Sequence, residues 1–180
     1  MAFSPMALLK ALRPLQWVKN GLVFLPFVFA VDIAWSTDDL SEVPELLVKL
    51  VLVALSFCLL SSAVYLFNDL MDRSGDRLHP VKQHRPIASG RVSVPVAGTV
   101  MVVLAAAGLA VMVLLDPLLG LAGGLYAGIN VSYSIGLKQV VLLEAFAVTS
   151  GYVIRATAGA VAIDVTPSPW LYVTPGAGAL

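Results

Sequence analysis

Charged residues are scarce in this sequence, because Asp, Glu, Lys and Arg together make up only 12% of its 180 residues. That share is about half of what soluble globular domains carry. Hydrophobic residues reach 59%, and the mean hydropathy is +0.91. So few charges cannot give a folded core a water-facing surface, which excludes a soluble globular domain. The composition predicts a protein whose surroundings are a lipid bilayer.

Cysteine and histidine are also nearly absent from the chain. The single cysteine, Cys58, excludes a disulfide within one chain. Two histidines and one thiol argue against a structural zinc site. The formal net charge is +0, so no excess of positive charge favours a nucleic-acid partner, and we expect none.

Long uncharged stretches predict membrane-spanning helices, for which about 20 residues are needed to cross the hydrocarbon. Residues 50–68, 92–115 and 117–137 provide 19, 24 and 21 uncharged residues. Residues 18–35 and 140–163 predict a first and a fifth span. The chain therefore has about five predicted full spans.

The end of the sequence differs from these five stretches. Residues 165–180 are uncharged but contain three prolines. Counted from residue 168, a helix here would rise about 20 Å, less than the roughly 30 Å of hydrocarbon. We expect a truncated sixth span and a C-terminally incomplete chain. The predicted fold class is all-α, a single multi-pass transmembrane bundle over residues 1–180.

Lysine and arginine alternate between the predicted loops as the positive-inside rule requires. Nine of the eleven cations fall on one side of the membrane: Lys10, Arg13, Lys19, Arg73, Arg77, Lys82, Arg85, Arg91 and Lys138. The loops on the other side carry acids such as Asp39, Asp116 and Asp164. We expect a cell-membrane protein with its N-terminus and its 68–91 loop in the cytoplasm.

Four polar residues lie at the end of the second predicted span and just after it. Asn68, Asp72 and Asp76 are four residues apart and share a helix face, with Asp69 on the adjacent edge. Acids crowded at a membrane boundary are unfavourable without a cation. Oxygen ligands alone favour Mg²⁺ or Mn²⁺, which leave coordination positions for phosphate oxygens. The spacing therefore predicts a metal site that binds a diphosphate, with a solvated charged loop as the alternative.

Basic side chains follow these acids in the same loop. Lys82 and Arg85 are predicted to contact the phosphate oxygens that a metal leaves uncovered, since arginine can bind two at once. Arg73 and Arg77 are weaker candidates, because they can pair locally with the acids. The alternative is that all four only satisfy the positive-inside rule.

Two charges lie inside the fifth predicted span. Glu144 is one or two turns from Lys138 and is a candidate to reach the polar site. Arg155 is eleven residues further along and lies toward the outer leaflet, so we interpret it as structural.

The sequence resembles the UbiA-type superfamily of membrane transferases, whose first aspartate-rich motif reads NDxxDxxxD, as residues 68–76 do here. Within it, the narrower resemblance is to decaprenyl-phosphate phosphoribosyltransferases. The matching stretches are LRPLQWVKN at 12–20, NDLMDRSGDRLHPVKQHRPIASG at 68–90, YSIGLK at 133–138 and GYVIRATAG at 151–159. The resemblance covers only the first part of a family member. A second polar cluster, expected in the later half of the family, is not in this sequence.

The resemblance implies roles for the polar residues. Asp69, Asp72 and Asp76 would be catalytic and would hold Mg²⁺ against the diphosphate of phosphoribosyl diphosphate, with Mn²⁺ as an alternative ion. Asn68 would orient a carboxylate or a metal-bound water.

Cations and one tyrosine would complete the substrate site by the same resemblance. Lys82 and Arg85 would bind the donor phosphates. Lys19, Tyr133 and Lys138 would close the polar cavity.

The leading hypothesis is an enzyme that transfers a phosphoribosyl group to a polyprenyl phosphate, a step in cell-wall biosynthesis by the narrower resemblance. Its acceptor is already anionic and needs no general base. The alternative is transfer of a prenyl group from a prenyl diphosphate to an aromatic or quinone-precursor acceptor. A third hypothesis is an inactive membrane fragment or subunit.

Overall fold

The computed structural model describes residues 4–136 and 141–167, apart from the side chains at 141, 142 and 144. Its α-helices are α1 (Pro5–Leu12), α2 (Leu25–Phe29), α3 (Val43–Met71), α4 (Arg73–Leu78), α5 (Val94–Leu115), α6 (Pro117–Ile135) and α7 (Val141–Ala162). Two 3₁₀ helices span Pro14–Phe24 and Lys82–His84. These ranges contain no β-strand, only one isolated bridge between Val31 and Trp35.

In the described ranges, four helices are long and apolar enough to cross a membrane. They are α3, α5, α6 and the Ala145–Ala162 part of α7. They coincide with the second to fifth predicted spans, and the prediction of an all-α, multi-pass membrane bundle is confirmed. Proline lies in the first turn of α3, α5 and α6, where its missing N–H is not needed by the helix.

The first predicted span, residues 18–35, differs from the expectation of one α-helix. The chain there forms the 3₁₀ helix Pro14–Phe24 and then the short α2. It runs antiparallel to α3, because successive contacts pair Arg13 with Asp69, Trp17 with Ser62, and Asn20 with Cys58. The segment therefore lies along α3, but it does not form the single long α-helix that hydropathy predicted. Of the predicted sixth segment, residues 168–180 lie outside the described part of the chain.

Small residues allow the helices to approach closely, which is common in membrane bundles. A side chain at Gly108 would meet the backbone oxygen of Ser56 on α3 at 3.0 Å. One at Gly159 on α7 would lie only 2.0 Å from the backbone oxygen of Val23 in the 3₁₀ helix. Glycine at these two positions therefore allows α5 to pack closely against α3, and α7 to pack closely against the 3₁₀ helix.

An apolar cluster lies near the C-terminal end of α3. Its buried members are Ala7, Ala11, Leu66, Ile87, Val92 and Ala97. Burial of Ile87 and Val92 anchors the loop between α4 and α5 against α1 and α3. The basic residues of that loop are therefore held beside the last turn of α3.

Candidate functional site

The predicted polar motif lies where α3 passes into α4. The backbone N–H of Asp72 donates to the carbonyl of Asn68 at 2.9 Å, and that of Asp76 donates to the carbonyl of Asp72 at 2.8 Å. The four-residue spacing of these three side chains is therefore helical in the structure. Asp69 and Asp76 are almost completely covered, with 2% and 4% of their surfaces exposed.

Arg85 joins the two buried carboxylates. Its Nη1 donates to Asp76 Oδ2 at 2.9 Å and to Asp69 Oδ1 at 3.2 Å. In sequence, Asp69 is sixteen residues and Asp76 nine residues from Arg85. Buried carboxylates require a close cation, because an uncompensated charge in a poorly hydrated site is costly. The sequence predicts phosphate contact for Arg85, and in the structure this arginine pairs with the two buried acids.

Arg13 is a second cation at this site, and the sequence reasoning used it only for topology. Its Nη2 donates to Asp69 Oδ1 at 2.6 Å, and its guanidinium lies 4.7 Å from the ring centre of Tyr65. Lys19, further along the same segment, is close enough to Tyr65 to interact with it electrostatically. The LRPLQWVKN stretch was the available signal for Arg13, but nothing in it identified Asp69 as the partner.

An open cleft of about 360 Å³ lies beside these ion pairs. It is lined by Met71, Asp72, Ser74, Gly75, Asp76, His79 and Lys82. Two of the predicted acids and one predicted phosphate-binding cation thus face the same space. A phosphate fits the size of this cleft, but a cation would be needed to offset its repulsion from the two carboxylates.

Other predicted side chains shape the loop. Arg77 donates through Nε to the carbonyl of Ala88 at 3.0 Å, which holds the α4–α5 loop closed. His79 Nδ1 accepts from the backbone N–H groups of Val81 and Lys82 at 3.2 and 3.3 Å. Arg73 is half-buried, and its Nε has no hydrogen-bond partner in the described part of the chain.

The remaining predicted site residues lie elsewhere or outside the description. Tyr133 lines an apolar groove between α6 and α7, together with Gly128 and Phe146. Lys138 falls outside the described residues, as does the side chain of Glu144.

The side chains of this site determine whether it can bind the predicted metal ion. In the described ranges, no three His, Cys, Asp or Glu side chains are arranged as a metal-binding group. The positive charge between Asp69 and Asp76 comes from Arg85 instead. Asp72 and Asp76 do line one cleft, and Mg²⁺ commonly uses only one or two carboxylates with water and substrate phosphates. The oxygen-only donors therefore fit a hard divalent cation.

A buried arginine network in the bundle centre was not predicted from sequence. Arg155 is 7% exposed and donates to Asn20 Oδ1 at 2.7 Å, to the Gly151 carbonyl at 2.6 Å and to the Tyr126 hydroxyl at 3.0 Å. Asn20 in turn donates to Cys58 Sγ at 3.1 Å. The network joins α7, α6, α3 and the 3₁₀ helix, in keeping with a structural role for Arg155.

The sequence is similar to a known protein family and to curated proteins. The model of the UbiA prenyltransferase family matches residues 21–179. Decaprenyl-phosphate phosphoribosyltransferase of Mycobacterium tuberculosis is 40% identical over 171 residues, which are 95% of this chain and 55% of that protein. The enzyme of the same name from Corynebacterium glutamicum is 34% identical over 96% of this chain and 51% of its own length. The chain thus spans about half the length of the curated relatives it matches.

A solved structure shares the fold. It is a UbiA homologue from Archaeoglobus fulgidus bound to GPP and Mg²⁺, with a TM-score of 0.77 and 24% identity. The match covers 96% of this chain and 59% of that one. At this identity the likeness shows the helical architecture alone.

Proposed function

We propose that this chain, which belongs to the UbiA prenyltransferase family, serves the transfer of a 5-phosphoribosyl group from phosphoribosyl diphosphate to a polyprenyl phosphate. The observation that carries the proposal is the cluster of Asp69, Asp76 and Arg85 beside a cleft lined by Asp72 and Lys82. The relatives named decaprenyl-phosphate phosphoribosyltransferase support this choice of donor and acceptor.

Mg²⁺ is the cofactor in this proposal, with Mn²⁺ as an alternative. Asp72 and Asp76 are the carboxylates best placed to hold it, since both line the cleft. The sequence prediction adds Asp69 as a third ligand. A bound divalent cation would offset the negative charge on a departing diphosphate. The A. fulgidus homologue bound to GPP and Mg²⁺ supports a divalent ion in this family.

The side chains of the cleft supply the rest of the proposed chemistry. Lys82 and Arg85 bind the phosphate oxygens of the donor, and fixed cations stabilise the charge that accumulates there as the C1–oxygen bond of the ribose breaks. The phosphate oxygen of the acceptor is anionic at neutral pH and attacks C1 without a general base. The site therefore has to position two anions and neutralise their charge.

The acceptor lipid needs an apolar surface that continues from this polar end. The groove between α6 and α7 has a volume of about 600 Å³ and is lined mainly by apolar residues, with Tyr133 near the C-terminal end of α6. We assign the prenyl tail to such a groove. We also assign the polar end of α3 to the cytoplasmic face, where the soluble sugar donor arrives and where the positive-inside rule puts the 68–91 loop.

The test is Asp72→Asn in membranes that contain the full-length protein. Labelled phosphoribosyl diphosphate and decaprenyl phosphate are supplied with Mg²⁺, and labelled lipid is measured. We expect loss of Mg²⁺-dependent turnover with unchanged membrane insertion. Asp38→Asn, an exposed acid in the α2–α3 loop, is the matched control and should keep full activity. Full activity of Asp72→Asn would refute the metal role.

Prenyl transfer to an aromatic acceptor is the second candidate, and the family description favours it. In that reaction the diphosphate belongs to the lipid rather than to the sugar. Membranes that convert labelled GPP and 4-hydroxybenzoate, but form no labelled lipid from phosphoribosyl diphosphate, would replace the first proposal with the second.

A further inference from the structure

Asp69 is shielded by two arginines. Only 2% of its side chain is exposed, while the side chains of Arg13 and Arg85 are 30% and 27% exposed. Both guanidinium groups donate to the same carboxylate oxygen, Oδ1, at 2.6 and 3.2 Å. A ligand that enters from the polar face therefore meets the arginines before it meets the carboxylate.

Asp72 is part of the cleft lining and Asp69 is not, although the two are only three residues apart. Asp72 lines the open cleft together with Lys82. Asp76 belongs to both environments, because it lines the cleft and accepts from Arg85 at 2.9 Å. Asp69 is thus covered by two arginines, whereas Asp72 and Asp76 both line the cleft.

Arg13 has a left-handed backbone conformation, which is unusual for a residue with a side chain. Its φ and ψ are 54° and 59°, in the left-handed region that residues with a side chain rarely occupy. α1 ends there, and Pro14 follows. Residues held in such conformations cluster at functional sites. The ion pair with Asp69 and the ring of Tyr65 at 4.7 Å hold the guanidinium in place.

We infer that Arg13 is a further donor-phosphate-binding residue and that Asp69 is a positioning residue, which orients Arg13 and Arg85 rather than ligating the metal. This inference rests on the proposed function. Each guanidinium has five N–H donors in a planar fork. One edge can therefore stay on the carboxylate while the other binds a phosphate oxygen of the diphosphate.

Electrostatics favours a metal ion on Asp72 and Asp76 rather than on Asp69. A divalent cation on Asp69 Oδ1 would lie next to two guanidinium groups that already donate to that atom, and like charges at such distances repel strongly. A cation held by Asp72 and Asp76 in the cleft leaves Asp69 Oδ1 to both guanidinium groups, although Asp76 Oδ2 itself accepts from Arg85. The anionic donor would then lie between the metal on one side and the two arginines on the other.

The test separates metal binding from diphosphate binding by calorimetry on the purified full-length protein. Mg²⁺ is titrated first, and inorganic diphosphate is then titrated at saturating Mg²⁺. For Asp69→Asn and Arg13→Gln we expect Mg²⁺ affinity within about twofold of wild type and diphosphate affinity about 10- to 100-fold weaker, the effect of losing a charge-assisted hydrogen bond. Asp72→Asn should lose Mg²⁺ binding. Lys10→Gln, at an exposed lysine on α1, is the control and should change neither affinity.

The double variant of Asp69→Asn and Arg13→Gln tests whether the two residues act as one unit. We expect its diphosphate affinity to be no weaker than that of the weaker single variant, because residues that act through each other are not additive. Arg13→Lys keeps the charge but loses the fork, and should recover part of the affinity. The Arg13 series gives the answer even if Asp69→Asn fails to fold.

Distinct results would overturn the inference and the proposed function. Loss of Mg²⁺ binding in Asp69→Asn, to the extent seen in Asp72→Asn, would make Asp69 a metal ligand and would overturn the inference alone. Unchanged diphosphate affinity in Arg13→Gln would do the same. A wild-type protein that binds neither Mg²⁺ nor diphosphate would overturn the proposed function itself.

Discussion

Replacement of Gly159 by alanine should loosen the N-terminal segment from the bundle. The added Cβ would lie 2.0 Å from the carbonyl oxygen of Val23 and 2.8 Å from its carbonyl carbon. Ordinary carbon contacts need about 3.5 Å or more, so one backbone must retreat by more than about 1 Å. A backbone atom cannot rotate away as a side chain can. Residue 23 is also only three positions from Asn20, which is held at 2.7 Å by Arg155.

The size of the effect follows from two opposing contributions. Overpacking of a tight contact costs about 1–3 kcal/mol, and contact with backbone puts this site at the upper end. Alanine recovers up to about 1 kcal/mol through its better helix propensity. We therefore expect Gly159→Ala to lower the free energy of unfolding by about 1–2 kcal/mol. Gly128→Ala is the matched control, because nothing lies within 4 Å of a Cβ added there, and it should be neutral or slightly stabilising.

The only cysteine of the chain provides the assay. Cys58 is half-buried and accepts a hydrogen bond from Asn20 of the 3₁₀ helix at 3.1 Å. Detachment of that helix exposes the thiol, so a maleimide dye reports it. We expect Gly159→Ala to show a lower midpoint on heating and faster labelling at 25 °C than wild type or Gly128→Ala. Identical midpoints and labelling rates for the two alanine variants would refute the packing argument.

Two further changes test the fold. Arg155→Lys loses the planar guanidinium that makes three described hydrogen bonds, so the free energy of unfolding should fall by about 2 kcal/mol or more. Arg91→Lys on the exposed loop is its control. An equal thermal midpoint for both variants would contradict a structural role for Arg155. Asp116→Ala removes the N-cap of α6, which accepts from the Leu118 N–H at 2.6 Å, and should cost about 0.5–2 kcal/mol. Its midpoint should fall below that of Asp38→Ala, and no difference would argue against the cap.

The buried network around Arg155 explains how a 3₁₀ helix of eleven residues persists. Isolated 3₁₀ helices longer than about four residues are uncommon because their hydrogen bonds are poorly aligned. Here Asn20 is bound by Arg155, and Trp17 donates to Ser62 Oγ at 3.0 Å. Contacts from α7 and α3 thus replace the stability that the segment lacks by itself. The Leu12 carbonyl, next to Arg13, accepts from Ser62 Oγ at 3.1 Å, so α3 also fixes the end of the segment that carries Arg13.

Local properties of the sequence were enough for much of this description. The length of an uncharged stretch determines whether a helix can cross the hydrocarbon, so α5, α6 and α7 were predicted within about two residues at each end, whereas α3 begins at Val43, before the predicted start at residue 50. The spacing of Asn68, Asp72 and Asp76 followed from the helical repeat, and both Arg85 and Lys82 were placed beside the acids because they lie in the same loop. These inferences need no knowledge of how helices pack.

Tertiary structure alone decided which cation compensates which buried group. Arg13 pairs with Asp69 across 56 residues, and Arg155 binds Asn20 across 135. In sequence, Arg13 was indistinguishable from the other cations that set topology. The 3₁₀ form of residues 14–24 was equally hidden, since it depends on neighbours in α3 and α7. Which charges pair depends on the distance between them and on how far they are buried. Both quantities are fixed only when the helices pack against one another.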